Sequence, residues 1–454
     1  MRIHFISIGG SVMHQLAIAL KQKGYHITGS DDEIFEPAAT NLKQEHIFPV
    51  NIGWFSENIT PDIDAIILGM HAKDDNPELV KARELGLKIF SFPEYIFHES
   101  LHKKRIAIGG SHGKTSTTAM VMHVLSYAGF DFDYLVGAKL DGFEQSVKIT
   151  DAPLIVCEAD EYPASAIEKR PKFHFLFPHI AVLTGIAWDH INVFPTFDFY
   201  LEQFVIFINK IEKNGVLIYN ETDDVLKNLV EKSSRKDIRY VPYALPRHTI
   251  ANGATSVIIG KEKATLAVFG NHNLLNLQAA YHVSKELEIE DSVFAKAISS
   301  FAGASKRLEL IAQKTDCNIY RDFAHAPSKV KASVNAVKEQ FPNRKLVAIL
   351  ELHTFSSLNI NFISEYKGAM DKADEAIVFY SNHALELKRM APLDPESVKK
   401  GFEKQNLVVI NERKKLEEQL QEKVCSNTNF LFMSSGNYDG MDILQTLNII
   451  SLKH

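Results

Sequence analysis

Short β-rich apolar runs alternate with amphipathic helical stretches in three successive segments, the pattern of parallel sheets joined by crossover helices. In the first segment, Met1 to about Leu101, a strand Ile3–Ile8 runs into Gly9-Gly10-Ser11 and an amphipathic stretch through Lys21. A strand over His26–Thr28 then enters the turn Gly29-Ser30-Asp31-Asp32. A later strand, Ala65–Leu68, precedes His71 and the run Asp75-Asn76-Pro77-Glu78, where Asn76 is placed to cap a helix with Pro77 at its first position. The second segment restarts at about Lys103. Strand Arg105–Ile108 feeds a glycine loop, and a helix from Lys114 to about Ala128 is ended by Gly129. Strand Leu154–Val156 is followed by Glu158-Ala159-Asp160-Glu161, and strand Ala181–Leu183 by Trp188-Asp189-His190. The third segment, from near Ser305, holds strands at Asn318–Tyr320, Lys345–Glu351, Ala376–Phe379, Leu407–Ile410 and Phe430–Phe432. The expectation is an α/β chain of three domains at 1–102, 103–303 and 304–454.

Composition narrows the function classes. With 454 residues, 45% hydrophobic and 23% charged, there is core for several domains. A net charge of −6 offers no global positive field for a polyanion, so no nucleic-acid partner is expected. Uninterrupted apolar runs stay short of a membrane span, and the first residues enter a strand without signal-peptide character. A cytoplasmic protein without membrane insertion is the expectation. Cys157, Cys317 and Cys425 are odd in number, far apart and without metal spacing, and read as buried thiols in a reducing compartment.

The strongest chemical signal is Gly110-Ser111-His112-Gly113-Lys114-Thr115-Ser116. A glycine loop between strand and helix points backbone N–H groups and a helix N-terminus at phosphate. The lysine neutralises terminal phosphates and the Thr115 hydroxyl ligates Mg²⁺. Ile108 stands where the usual spacing has a further glycine. Glu158, Asp160 and Glu161 follow a strand directly, where a carboxylate holds the Mg²⁺ of a nucleotide or simply begins an acidic helix. His190 ends a similar strand, as a cation ligand or as a loop histidine.

The turn Gly9-Gly10-Ser11 lacks the third glycine of a dinucleotide fingerprint and has no lysine. It reads as a diphosphate nest, with Ser30, Asp31 and Asp32 placed for a ribose, or as a plain strand-to-helix turn. Asn273 and Asn276 in Gly270-Asn271-His272-Asn273-Leu274-Leu275-Asn276 share a helix face, to read an adenine edge or to cap. Arg307 and the run Arg321-Asp322-Phe323-Ala324-His325-Ala326 bring cation, carboxylate and imidazole to a strand's end, for nucleotide contacts or a surface ion pair.

In order along the chain, these stretches resemble the Mur ligase family: I-G-G with G-S-D and D-N-P-E, then G-S-H-G-K-T, E-A-D-E, W-D-H, G-N-H-N-x-x-N, K-R-L-E and D-F-A-H. The resemblance implies a three-domain ATP-dependent ligase, with Rossmann-like outer domains and a P-loop ATPase-like central domain built on a mainly parallel sheet. ATP phosphorylates a carboxylate of UDP-N-acetylmuramate, and an amine then attacks the acyl phosphate. By the same resemblance Lys114, Glu158, His190 and Arg307 carry the chemistry, and Thr115, Glu158 and His190 hold metal. His112, Ser116, His272, Asn273, Asn276, Asp322 and His325 meet ATP, while Gly9, Gly10, Ser11, Ser30, Asp31, Asp32 and His71 hold UDP. Within the family, Glu158–Tyr162 and the run Lys169-Arg170-Pro171-Lys172-Phe173 look like members that attach the murein tripeptide L-Ala-γ-D-Glu-meso-diaminopimelate. The alternative is a member that adds L-alanine. Lys169, Arg170 and Lys172 would suit a peptide rich in carboxylates, or form an exposed basic cluster. Ala326 and Arg321 depart from the family pattern.

Overall fold

In the computed structural model, which describes residues 1–137, 140, 142–143, 145–165, 167–188, 193–304, 307–423 and 425–448, the first apolar run forms the strand Arg2–Ile6. It lies between His26–Ser30 and Ala65–Leu68 in a parallel sheet completed by Ile89–Ser91. Side-chain alternation sends Ile3 and Phe5 into one cluster with Leu16, Leu20 and Tyr95. Ile6 goes to the opposite face with Ile66, Leu79 and Ala82, so the sheet is covered on both sides as parallel strands require.

The helix expected after Asn76 is present as Pro77–Glu84, and the Asn76 side chain accepts from the N–H groups of Glu78 and Leu79. Its second residue, Glu78, is fully buried. The Glu78 carboxylate accepts from the Ser30 hydroxyl, from Asn58 Nδ2 at 2.9 Å and from the Phe55 N–H at 3.0 Å, with His4 Nε2 at 3.3 Å. Burial pushes its pKa up, but His4 and the other donors outweigh burial and hold it below the usual range.

The second sheet runs Arg239–Tyr243, Val216–Asn220, Ile180–Leu183, Lys104–Gly109, Leu154–Glu158, Asp133–Leu135, with Val147–Lys148 antiparallel at the edge. Lys104–Gly109 therefore lies between two parallel neighbours, and Ile108 pairs with Glu158 while Gly109 pairs with Leu183. The loop that leaves it is flanked by strand carboxyl ends, where open α/β sheets bind ligands. The following helix is Lys114–Tyr127, and Gly129 at φ +77° ends it. These two sheets, with residues 275–297, make one compact unit.

The second compact unit comprises residues 246–274 and 298–454. Its six-stranded sheet follows the expected strands in the order Cys317–Asp322, Thr428–Met433, Lys345–Glu351, Glu375–Phe379, Val408–Ile410. The edge strand Glu309–Lys314 is antiparallel and was not read from the sequence. Nor was the antiparallel sheet His248–Ala251, Ala254–Ile259, Glu262–Leu266, although Gly260 between two alternating runs is a hairpin signal. One cysteine reading is corrected. Cys317 and Cys425 form a disulfide and only Cys157 is a free, buried thiol. Parallel pairing of Cys317–Asp322 with Thr428–Met433 brings the two α-carbons to 5.6 Å across 108 residues, a proximity that no local spacing announces. Among the described residues no helix is long and apolar enough to cross a membrane.

Replacing Glu78 by alanine strands the buried partners Ser30 and His4 and releases Asn58, and should cost about 3 kcal/mol of stability in urea denaturation. An unchanged midpoint would show that the buried carboxylate does not organise this sheet.

Candidate functional site

The loop expected to hold phosphate, hence the phosphate loop, owes its shape to two glycines. Gly110 is at φ +123°, and a Cβ there would run into the Thr184 side chain. Gly113 is at φ +83° immediately before the helix, and a Cβ there would run into Asn276 Oδ1. Ile108, at the departure from the usual spacing, is completely buried in the strand, which explains an aliphatic residue there.

The loop is pinned to the segment after Ile180–Leu183. Thr184 donates from its hydroxyl to Gly109 O at 3.1 Å and to His112 O, and the Ser111 N–H donates to Gly185 O at 3.0 Å. Ser111 Oγ lies 2.8 Å from Tyr200 Oη and accepts from the Ala187 N–H at 2.9 Å. His112 Nδ1 lies 2.7 Å from Ser111 O, and Ser116 is buried in the first helical turn.

Lys114 Nζ donates to Gly110 O and to Glu161 Oε2, both at 2.7 Å. Glu161 is buried and its other oxygen accepts from Tyr200 at 3.2 Å. Burial lowers the Lys114 pKa, but Glu161, Asp160 and Glu158 more than reverse this and raise it, so the ammonium keeps its proton. Thr115 Oγ1 donates to Glu158 Oε1 at 2.8 Å, and Glu158 Oε2 accepts from the Gly137 N–H at 3.0 Å. Among the described residues no helical element begins between Glu158 and the short turn Lys172–Phe175, so the acidic-helix alternative falls away. Asp160 is paired with Lys172 at 2.7 Å.

At the first glycine turn, the Gly9 N–H donates to Asp31 Oδ2 at 2.7 Å, and the Asp32 N–H to Asp31 Oδ1 at 3.0 Å. Asp31 is fully buried, and burial pushes its carboxyl up to about 6 against the Gly9 N–H and the nearby His71. Asp32 and His71 are exposed, and Ser30 directs its hydroxyl away to Glu78. Sequence reading missed Ser7. It sits at φ +74°, is buried, and its hydroxyl has no hydrogen-bond partner among the described residues. A strained, unsatisfied serine is a mark of a binding site.

One cavity of about 420 Å³ is lined by Ser7, Gly10, Ser11 and His71 and also by Glu158, Asp160 and Lys172. Apolar walls come from Met13, Leu68, Phe92 and Leu135. The glycine turn of the first sheet and the carboxylates beside the phosphate loop thus share one space.

In the second unit, Asp322 ends its strand and accepts from Ser333, the Arg307 guanidinium lies over Phe323 at 4.9 Å, and His325 Nδ1 is 2.8 Å from Phe323 O. Burial lowers the His272 imidazole while Asp322 opposes it, and Asn273 Nδ2 donates to Phe269 O at 2.9 Å. Arg321 pairs with Glu309 at 2.9 Å, the ion-pair alternative for that residue. His190 lies outside the described residues.

Mur ligase family models match the chain in three successive stretches: residues 2–100 the Mur ligase family catalytic domain, 108–284 the Mur ligase middle domain and 306–436 the Mur ligase glutamate ligase domain. The UDP-N-acetylmuramate–L-alanine ligase of Clostridium kluyveri is 30% identical over 393 residues, covering 83% of this chain and 82% of that protein. The chain belongs to the Mur ligase family. It is therefore an ATP-dependent ligase that forms amide bonds, in the enzyme class of cell-wall peptidoglycan synthesis. The ligase of the same name from Aquifex aeolicus is 31% identical over 365 residues, 78% of each chain. Among solved structures, the UDP-N-acetylmuramate–alanine ligase of Thermotoga maritima superposes with a TM-score of 0.67 at 23% identity over 99% of this chain and 97% of that one. The murein peptide ligase of Psychrobacter arcticus gives 0.61 at 23% over 100% of both, and these likenesses show the shared Mur ligase fold.

Asp31 supplies a pH test. Its native carboxyl, near 6, lies above the ordinary value of 3.8, so the native state binds the extra proton and stability falls as pH rises between those values. About two units correspond to about 3 kcal/mol. Asp31→Asn should remove that loss, seen as a flatter stability profile between about pH 4 and 6; a slope equal to that of the unsubstituted chain would contradict the assignment.

Proposed function

We propose that the chain ligates an amine to the carboxylate of UDP-N-acetylmuramate through an acyl phosphate. The observation that carries this is the single cavity lined by both the first glycine turn and Glu158, whose carboxylate touches Thr115 of the phosphate loop. In this reading the first turn holds the UDP end, with Gly9, Gly10, Ser11, Ser30, Asp31, Asp32 and His71 around it. The second turn holds ATP by its backbone N–H groups and Lys114.

A carboxylate oxygen of the sugar nucleotide attacks the γ-phosphorus and ADP leaves. The amine nitrogen then attacks the acyl carbon, inorganic phosphate departs with the bonding pair, and the nitrogen loses a proton. Lys114 uses two of its three N–H donors on Gly110 O and Glu161, leaving one to aim at phosphate. Thr115 Oγ1 and Glu158 Oε1 are hard oxygen donors at adjacent positions, which fit Mg²⁺. When bound, that ion neutralises charge on the transferring phosphoryl group. His190 is carried forward as a second cation ligand, and His272, Asn273, Asn276, Arg307, Asp322 and His325 as ATP contacts.

L-alanine is the amine donor that the curated relatives support, since those of Clostridium kluyveri and Aquifex aeolicus are named for it. This favours the alternative over the tripeptide expected from Glu158–Tyr162 and Lys169–Phe173. The tripeptide remains a second reading on one specific observation. Those two stretches fold against each other, with the Lys172 N–H donating to Tyr162 O at 2.9 Å and the Phe173 N–H to Asp160 O at 3.0 Å.

Release of ADP and phosphate with UDP-N-acetylmuramate should require L-alanine in the first reading and the tripeptide in the second, and no turnover with either would remove both. Lys114→Ala should lower turnover by about 10²–10³-fold, measured at a temperature where circular dichroism shows the variant folded, because Glu161 loses its buried partner; full turnover would remove the phosphate-loop assignment.

A further inference from the structure

The run Lys169–Phe173, read from sequence as peptide contacts or as an exposed basic cluster, divides in the structure. Arg170 turns outward onto Glu168 at 2.6 Å and covers the Phe175 ring at 4.6 Å. Lys172 turns the other way and lines the cavity. Its backbone is firmly held. The next residue, Phe173, is completely buried and stacks on Phe207 with centroids 4.8 Å apart. The Lys172 N–H donates to Tyr162 O at 2.9 Å, Pro163 bridges Pro171, and the Lys172 ammonium stands 5.9 Å from the Tyr162 ring.

Charge makes this placement informative. Glu158 and Asp160 line the same cavity, so a carboxylate entering it meets two like charges. Among the described lining residues Lys172 is the only lysine or arginine, and the one imidazole, His71, belongs to the group around the first glycine turn. Asp160 takes one donor of the ammonium at 2.7 Å and fixes its direction, and two N–H donors remain for a ligand.

We infer that Lys172, oriented by Asp160, is the group that binds the carboxylate of the sugar-nucleotide substrate and brings it beside Glu158 and Thr115. The inference rests on the reading of UDP-N-acetylmuramate as acceptor. It makes Lys172 a positioning residue for the nucleophilic carboxylate, separate from Lys114, which serves the phosphates. A methionine at this position keeps the aliphatic stem and removes the charge, whereas arginine keeps the charge.

The test compares binding of UDP-N-acetylmuramate with binding of its carboxyl methyl ester, by calorimetry on the full chain without ATP. The unsubstituted enzyme should prefer the free acid by about tenfold or more, the value of one charge-assisted hydrogen bond. Lys172→Met should bind acid and ester alike, Lys172→Arg should restore most of the preference, and affinity for ADP should stay within about twofold in both. If Lys172→Met melts normally and keeps the preference for the acid, the assignment of Lys172 is overturned while the acceptor stands. If the unsubstituted enzyme binds neither compound, the acceptor reading itself fails and the role of Lys172 falls with it.

Discussion

The ion pair of Lys114 with Glu161 is the constraint around which the central sheet is arranged. A lysine that is mostly shut off from water keeps its charge only if a carboxylate accompanies it, and Glu161 does so at 2.7 Å while itself almost fully buried. Glu161 needs Tyr200, Tyr200 also meets Ser111, and Ser111 takes the Ala187 N–H. The phosphate loop is thus tied through one lysine to a helix and to the neighbouring strand's exit. The carboxylates that secure the lysine also make the region hostile to anions, so cations beyond Lys114 are a requirement of the design. In the proposed function, Lys172 answers that requirement on the side of the cavity and the Thr115–Glu158 pair takes another positive charge.

The two I-G-G-S turns show how little a glycine motif decides by itself. In the first, the Gly9 N–H is already taken by Asp31, and the open group is the Ser7 hydroxyl. In the second, Gly113 in its left-handed conformation precedes a helix whose first residue is Lys114. In the proposed function the former holds a group that does not react, and the latter a phosphate that is transferred.

Much of this was legible because it is local. The phosphate loop, the Asn76 cap and the parallel strands each occupy a few consecutive residues, where spacing and backbone chemistry carry the signal. What escaped is what the fold brings together over distance: Glu78 with Ser30 and His4, Cys317 with Cys425, Tyr200 with Glu161. Tyr200 looks like any core aromatic of an amphipathic helix, and Ser7 like the end of a strand. Lys172 was visible as part of a basic run, but only the folded chain shows that it faces the cavity while Arg170 turns to Glu168.

The central claim is that the carboxylate held in the cavity is the nucleophile toward ATP. Its most direct test uses UDP-N-acetylmuramate carrying a heavy oxygen isotope in the carboxylate, with the released phosphate examined by mass spectrometry. Transfer of one labelled oxygen to phosphate in each turnover is the predicted result. Phosphate free of label, with the oxygen lost on forming the amide recovered in water instead, would contradict the acyl-phosphate account.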